Sequence, residues 1–246
     1  DKDCHRRRFK TKLIAMGMCG YDRVLIEPSG IFDMDEFFDA LHEEPLDRWY
    51  QIGNVIAVVD AGLDEKMSEE ADYILASEVA DAGCIVLSKT QEASEKSIEF
   101  TVKHLNRALE AVHCKRKFGE DEIIRKDWEQ FETEDFERIL NSGYIAEDYE
   151  KMSLDEKEVF KSLYFMDLEI SGEELRDAAQ KIMQDPACGS VFRIKGFTQE
   201  ADGSWTELNA THHEITQCPI AEGQKVIIVI GEQPNEEMIK KYFGTD

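Results

Sequence analysis

Residues 54–91 read NVIAVVDAGLDEKMSEEADYILASEVADAGCIVLSKTQ, and this stretch decides the fold. Asn54–Val59 and Cys84–Leu87 are short Val/Ile-rich runs without polar alternation, the pattern of strands buried on both faces. Between them SEEADYILASEVADA carries apolar residues at roughly i, i+3, i+4 spacing, which predicts a helix. A third run of the same kind, Arg23–Ile26, lies upstream and is followed by another helical stretch, MDEFFDALHEE. The three runs begin at residues 23, 54 and 84. Strand–helix–strand units of that length imply right-handed crossovers, so the three strands are expected as parallel neighbours in one sheet.

Outward from this core, SEKSIEFTVKHLNRALEAVH predicts a further helix, and a charged segment then runs to about Met152. Asn141-Ser142-Gly143 and the acids of Glu147–Glu150 read as a linker, dividing the chain into domains at 1–150 and 151–246. From about Glu158 the pattern changes. LYFMDLEIS alternates, and SGEELRDAAQKIMQD is a helix with Ser171 as N-cap and Glu174 three residues on. SVFRIKGF alternates again, ADGSW is a hairpin turn signal, KVIIVIG (Lys225–Gly231) is a strand, and NEEMIKKYF is a last helix. The fold class expected is α/β in the first part, followed by a small α+β domain with an antiparallel sheet.

The 246 residues hold 29 Lys+Arg against 53 Asp+Glu, a net charge of −24. A nucleic-acid binder draws most of its affinity from cations on phosphates, so that class is excluded. With 42% apolar residues the chain is not an acidic disordered tail. Its six cysteines are scattered, with no CxxC, which suits a reducing cytoplasm. No apolar run approaches the ~20 residues of a membrane span. The start, DKDCHRRRFKTK, is basic without the apolar core of a signal peptide. It opens in mid-pattern without Met, so an upstream portion is expected.

In open α/β sheets ligands bind beyond the carboxyl ends of the strands. Three polar segments stand at such ends: Glu27-Pro28-Ser29-Gly30, Asp60-Ala61-Gly62 and Ser88-Lys89-Thr90-Gln91. A carboxylate such as Glu27 can hold Mg²⁺ directly or through water, and the bare N–H of Gly30 can approach a terminal phosphate. Otherwise Glu27 simply opens a turn. Lys89 can lay its stem along a purine face while a neighbour reads the base edge; otherwise Ser88–Gln91 is a solvated turn.

Together VLIEPSG, IAVVD and IVLSKT, in that order and spacing, resemble the CobW-like family of P-loop GTPases, relatives of UreG and HypB. The resemblance implies that Glu27 and Gly30 are catalytic, with Glu27 organising Mg²⁺ through water. It assigns Ser88, Lys89 and Gln91 to the guanine base of GTP. It also implies zinc or cobalt as metal cargo in the intact parent, and a client metalloprotein docked through the C-terminal domain. VFRIKGF, the Gly203–Trp205 hairpin and VIIVIGE resemble that domain.

Two departures stand out. Gln91 occupies the position where the family carries Asp. No GxxxxGK[ST] occurs, nor a Cys-x-Cys-Cys motif, so the chain reads as the C-terminal two-thirds of a CobW-like protein. A scaffold that docks an apo-metalloprotein without catalysis is the alternative function.

Candidate soft ligands are few. His212 and His213 alternate if they lie on a strand, so only one could join Cys218. A polar loop or edge strand is the simpler reading. Cys4-His5 adjoins three arginines, Cys84 falls within a buried strand, and Glu43, Glu44 and Asp47 suit a solvated face. No tight, stoichiometric zinc is expected from these residues.

Base selectivity yields a test. Asp accepts from both guanine N1–H and N2–H₂, whereas Gln91 offers one acceptor and one donor group. Gln91→Asp should therefore sharpen the GTP-over-ATP preference, by about tenfold or more if one contact at a desolvated base edge is worth ~1–3 kcal/mol. Equal preference in both proteins, read by competition binding to the full-length protein, would show that another residue reads the base.

Overall fold

The computed structural model describes residues 2–28, 34–64, 67–147, 149–150 and 160–245. The chain divides into two compact units, Asp1–Ser153 and Leu154–Asp246. Among the described residues no helix is long and apolar enough to cross a membrane.

The first unit runs α1 (Lys2–Met18), α2 (Met34–Leu41), α3 (Leu46–Trp49), β1 (Ile56–Asp60), α4 (Glu69–Ala80), β2 (Cys84–Ser88), α5 (Glu95–Ala111), β3 (Ile123–Ile124) and α6 (Thr133–Leu140). Strands β1, β2 and β3 form a parallel sheet in that order, with Ile56 opposite Cys84 and Asp60 opposite Ser88. Each crossover helix starts at a serine cap. The Ser68 hydroxyl accepts from the Ala71 N–H at 3.0 Å, and that of Ser94 from the Ser97 N–H at 3.2 Å. These contacts satisfy amides that the helix itself leaves open. Helix α5 buries the stripe Thr101, His104, Leu105, Ala108 and Leu109, while α4 is buried on most of its circumference. Cys84 is a core residue of β2.

The run Arg23–Ile26 departs from expectation. Residues 23–28 form no strand, and Leu25 is 89% exposed. A parallel strand forms only with a partner ladder, and among the described residues no strand lies on the side of β1 away from β2. One face of β1 is open, with Ile56 42% and Val58 68% exposed. An apolar run without a partner strand stays outside the sheet.

The expected linker is also different in part. Residues 142–145 are woven into the first unit rather than bridging two. The Val55 N–H donates to the Gly143 carbonyl at 3.0 Å, and the Ile145 N–H to the Asp81 carbonyl at 3.1 Å. A methyl group on Gly83 would sit 2.2 Å from the Gly143 oxygen, so this crossing requires a glycine. Nearby, buried Arg116 closes the carboxyl end of α4. It donates to the Ala80 carbonyl at 2.6 Å, pairs with Glu122 at 3.0 Å and lies over the Phe118 ring.

The second unit contains β4 (Phe160–Met166), α7 (Gly172–Gln184), β5 (Ser190–Gln199), β6 (Trp205–Thr211), β7 (Ile215–Ile220), β8 (Val226–Glu232) and α8 (Glu236–Tyr242). Its five strands pair antiparallel in the order β4-β8-β5-β6-β7. The capping box read from Ser171 and Glu174 is present at α7. That helix buries Leu175, Ala178, Ala179 and Ile182, the i, i+3, i+4, i+7 set, against Ile194, Leu208, Ile227 and Val229 of the sheet. Gly196 makes this approach possible, since a Cβ there would meet Leu175 at 2.4 Å. The first unit is thus α/β and the second α+β.

Burial of Glu78 on α4 pushes its carboxyl from an ordinary 4.5 up to about 8. The folded state then favours the neutral form more than the unfolded state does. Stability from this group is intact below pH 4.5 and is lost as the pH rises through about 8. Glu78→Gln should match the wild type near pH 4.5 and exceed it by about 1–3 kcal/mol above pH 8. Denaturant titrations at several pH values check this, and parallel curves for the two proteins would contradict it.

Candidate functional site

The in-register pairing of β1 and β2 brings two of the three polar strand ends together. Asp60 and Ser88 are the last residues of their strands and lie opposite one another. The Ser88 carbonyl accepts from the Ala61 N–H at 2.9 Å, and the Ser88 hydroxyl donates to the Val59 carbonyl at 3.3 Å. Lys89 follows directly, with a left-handed backbone at φ +56°. Its ammonium reaches back across the strand ends to Asp60 Oδ2 at 2.6 Å. The other carboxylate oxygen accepts from the Gly62 N–H at 2.8 Å.

The loop after β1 is fixed from below by α5. Thr101 donates its hydroxyl to the Ala61 carbonyl at 2.9 Å and accepts from the Leu63 N–H at 3.3 Å. Beyond Lys89, the Glu92 and Ala93 N–H groups both donate to the Lys89 carbonyl, which closes a turn leading into α5. Lys89 and Asp60 remain partly open to solvent, with side chains 46% and 30% exposed. The arrangement is a small platform: a lysine stem crossing two strand ends, anchored at its far end by a carboxylate that is itself oriented.

The other expected residues that the structure describes do not join this ion pair. Glu27 is exposed on the irregular segment before residue 29 and makes no hydrogen bond or ion pair with Ser88, Lys89 or Gln91. Gly30 lies outside the described residues. Gln91 is exposed, its amide directed at Glu92 at 3.5 Å. His212 and His213 lie in the turn between β6 and β7, with Cys218 on the edge strand β7. The side chains of Cys4 and His5 lie outside the described residues. Glu43 pairs with Lys10 at 2.6 Å and Glu44 with Arg48. Among the described residues no group of three or more His, Cys, Asp or Glu side chains converges as a metal site would require.

Sequence reading passed over the role of Asp60, although the signal was present. A carboxylate ending one parallel strand, beside a neighbouring strand followed by lysine, can be read once the two strands are aligned end to end.

Residues 4–119 match the profile of the family described as CobW/HypB/UreG, nucleotide-binding domain. The matched segment includes β1, β2, Asp60 and Ser88–Gln91. Two solved structures resemble the chain. One is the Zn(II)-bound YjiA GTPase from E. coli, 18% identical, covering 86% of this chain and 65% of that one at a TM-score of 0.33. The other is a Zn(II)-bound triple mutant of YjiA GTPase, also 18% identical, covering 91% and 70% at a TM-score of 0.35. The chain thus spans about two thirds of these relatives' length. No curated protein matches it.

One polar atom beside the platform carries a measurable consequence. The Thr90 hydroxyl is buried and, among the described residues, finds no hydrogen-bond partner. Burying such a group unpaired costs about 1–3 kcal/mol. Thr90→Val, which keeps the shape, should leave the ligand-free protein as stable or raise its stability by about 1 kcal/mol. A loss of that size in chemical denaturation would show that the hydroxyl is satisfied.

Proposed function

We propose that the chain is part of a GTP-binding protein that hydrolyses GTP and couples hydrolysis to delivery of a metal ion to a client protein. The observation that supports this reading best is the Lys89–Asp60 platform, built at the carboxyl ends of two parallel strands inside the matched segment. A purine stacked on the Lys89 stem would have Ser88 beneath it and Thr90 and Gln91 at its edge. The residues here suit the base end of a nucleotide. The phosphate end is another matter, because the sequence contains no GxxxxGK[ST] pattern.

For Mg²⁺ the chain offers one carboxylate, Glu27, acting through water. Carboxylate oxygen is the chemistry that hard cation takes, and among the described residues no group of three or more His, Cys, Asp or Glu gathers. When bound, Mg²⁺ supplies charge neutralisation to the phosphate oxygens. The part of Glu27 is to orient water, and that of Gly30 to present its N–H to the terminal phosphate. Phosphoryl transfer depends on such positioning more than on a protein nucleophile, so without a phosphate cradle this chain alone should not turn over. Zinc or cobalt enters as cargo, and the α+β unit is assigned to docking the client.

The experiment is GTP turnover by the full-length protein with Mg²⁺. Glu27→Ala should lower kcat about a hundredfold or more, with the fold intact because Glu27 is exposed. Turnover by the isolated 246-residue chain that survives Glu27→Ala would overturn the catalytic assignment.

A further inference from the structure

Lys89 pays for its place twice over: it holds a left-handed backbone that side-chain-bearing residues avoid, and its flexible stem is ordered across the gap between two strands. Both features have one geometric result. The stem leaves the end of β2 and its ammonium ends 2.6 Å from Asp60 Oδ2 at the end of β1. Asp60 is itself oriented, because its Oδ1 accepts from the Gly62 N–H at 2.8 Å. The loop bearing Gly62 is fixed in turn to Thr101 of α5. The ion pair is therefore directed from the carboxylate side, and the lysine is the member that is positioned.

We propose that Asp60 is a positioning residue for nucleotide-base recognition: it draws the Lys89 stem flat over the ends of β1 and β2, so that the methylenes form a ready-made plate for a purine ring. The inference rests on the nucleotide reading above and adds to it a residue whose contact is with Lys89, not with the base. A free lysine must give up its rotamer freedom when the base arrives, whereas one already anchored gives up little. Asp60 thus acts on affinity for the base and not on the chemistry at the phosphate.

The chemistry of Asp60→Asn separates this role from a purely structural one. Asparagine keeps an oxygen for the Gly62 N–H and loses the charge that holds the ammonium. Asp60→Glu keeps the charge on a longer arm. Lys89→Met keeps an apolar stem and loses the ammonium. Binding of GDP with Mg²⁺ to the full-length protein, read by calorimetry, should weaken about three- to tenfold in Asp60→Asn. It should recover largely in Asp60→Glu. In a Lys89→Met background Asp60→Asn should produce no further loss, because the two residues act through one contact. Losses that multiply in the double variant, or an Asp60→Asn protein that binds GDP as the wild type does, would overturn the proposal. If Asp60→Asn fails to fold, the same cycle run with Asp60→Ser, which also removes the charge that holds the ammonium, decides in the same way. No GDP binding by the wild type would instead overturn the nucleotide reading and take this inference with it.

Discussion

The parallel pairing of Ile56–Asp60 with Cys84–Ser88, in register from end to end, is the constraint on which the rest of the site depends. It sets Asp60 opposite Ser88, and so puts the carboxylate within reach of the residue that follows. Shifting the register by one residue would turn every side chain of the strand to the other face. The carboxylate and the ammonium would then no longer meet. The two crossover helices hold this register from outside. Helix α4 is buried nearly all round and closed at its carboxyl end by Arg116, while Thr101 of α5 fixes the loop beyond β1.

The two units differ in what their sheets expose. A parallel sheet gathers its loops at one end, where a ligand can meet several strand termini at once. The antiparallel sheet of the second unit has one face packed on α7 and α8, with its turns at both ends. Where α7 meets the β6–β7 turn it bears a small pocket of about 250 Å³, lined by Gln180, Met183, His212 and Ile215 among others. The turn that carries His212 and His213 lies beside the edge strand bearing Cys218, without the converging ligands of a metal site among the described residues.

Much of this was legible in the sequence because local chemistry carries it. Ser171 marks a helix start by its ability to accept from a first-turn amide, and the unbroken run Cys84–Leu87 marks a strand buried on both faces, whereas β1 leaves Ile56 and Val58 exposed on one face. The failure at Arg23–Ile26 has a physical cause. An apolar run states that a segment would be stable in a sheet, but not whether a neighbouring strand is there to pair with it. The interlacing of Ser142–Ile145 with Val55 and Asp81 was hidden for a related reason, since it joins backbone groups far apart in sequence. The Lys89–Asp60 pair, twenty-nine residues apart, emerges only when two predicted strands are laid side by side. Glu27 makes no contact with that pair, and Gly30 lies outside the described residues.

The central claim is that a purine nucleotide is held at the carboxyl ends of β1 and β2. Hydrogen–deuterium exchange of the full-length protein, with and without GDP and Mg²⁺, tests it most directly. The account predicts slowed exchange in the amides of residues 60–63 and 88–93, with those of β5–β8 unchanged. Protection confined to the second unit, or GDP binding that leaves 60–63 and 88–93 unaltered, would contradict it.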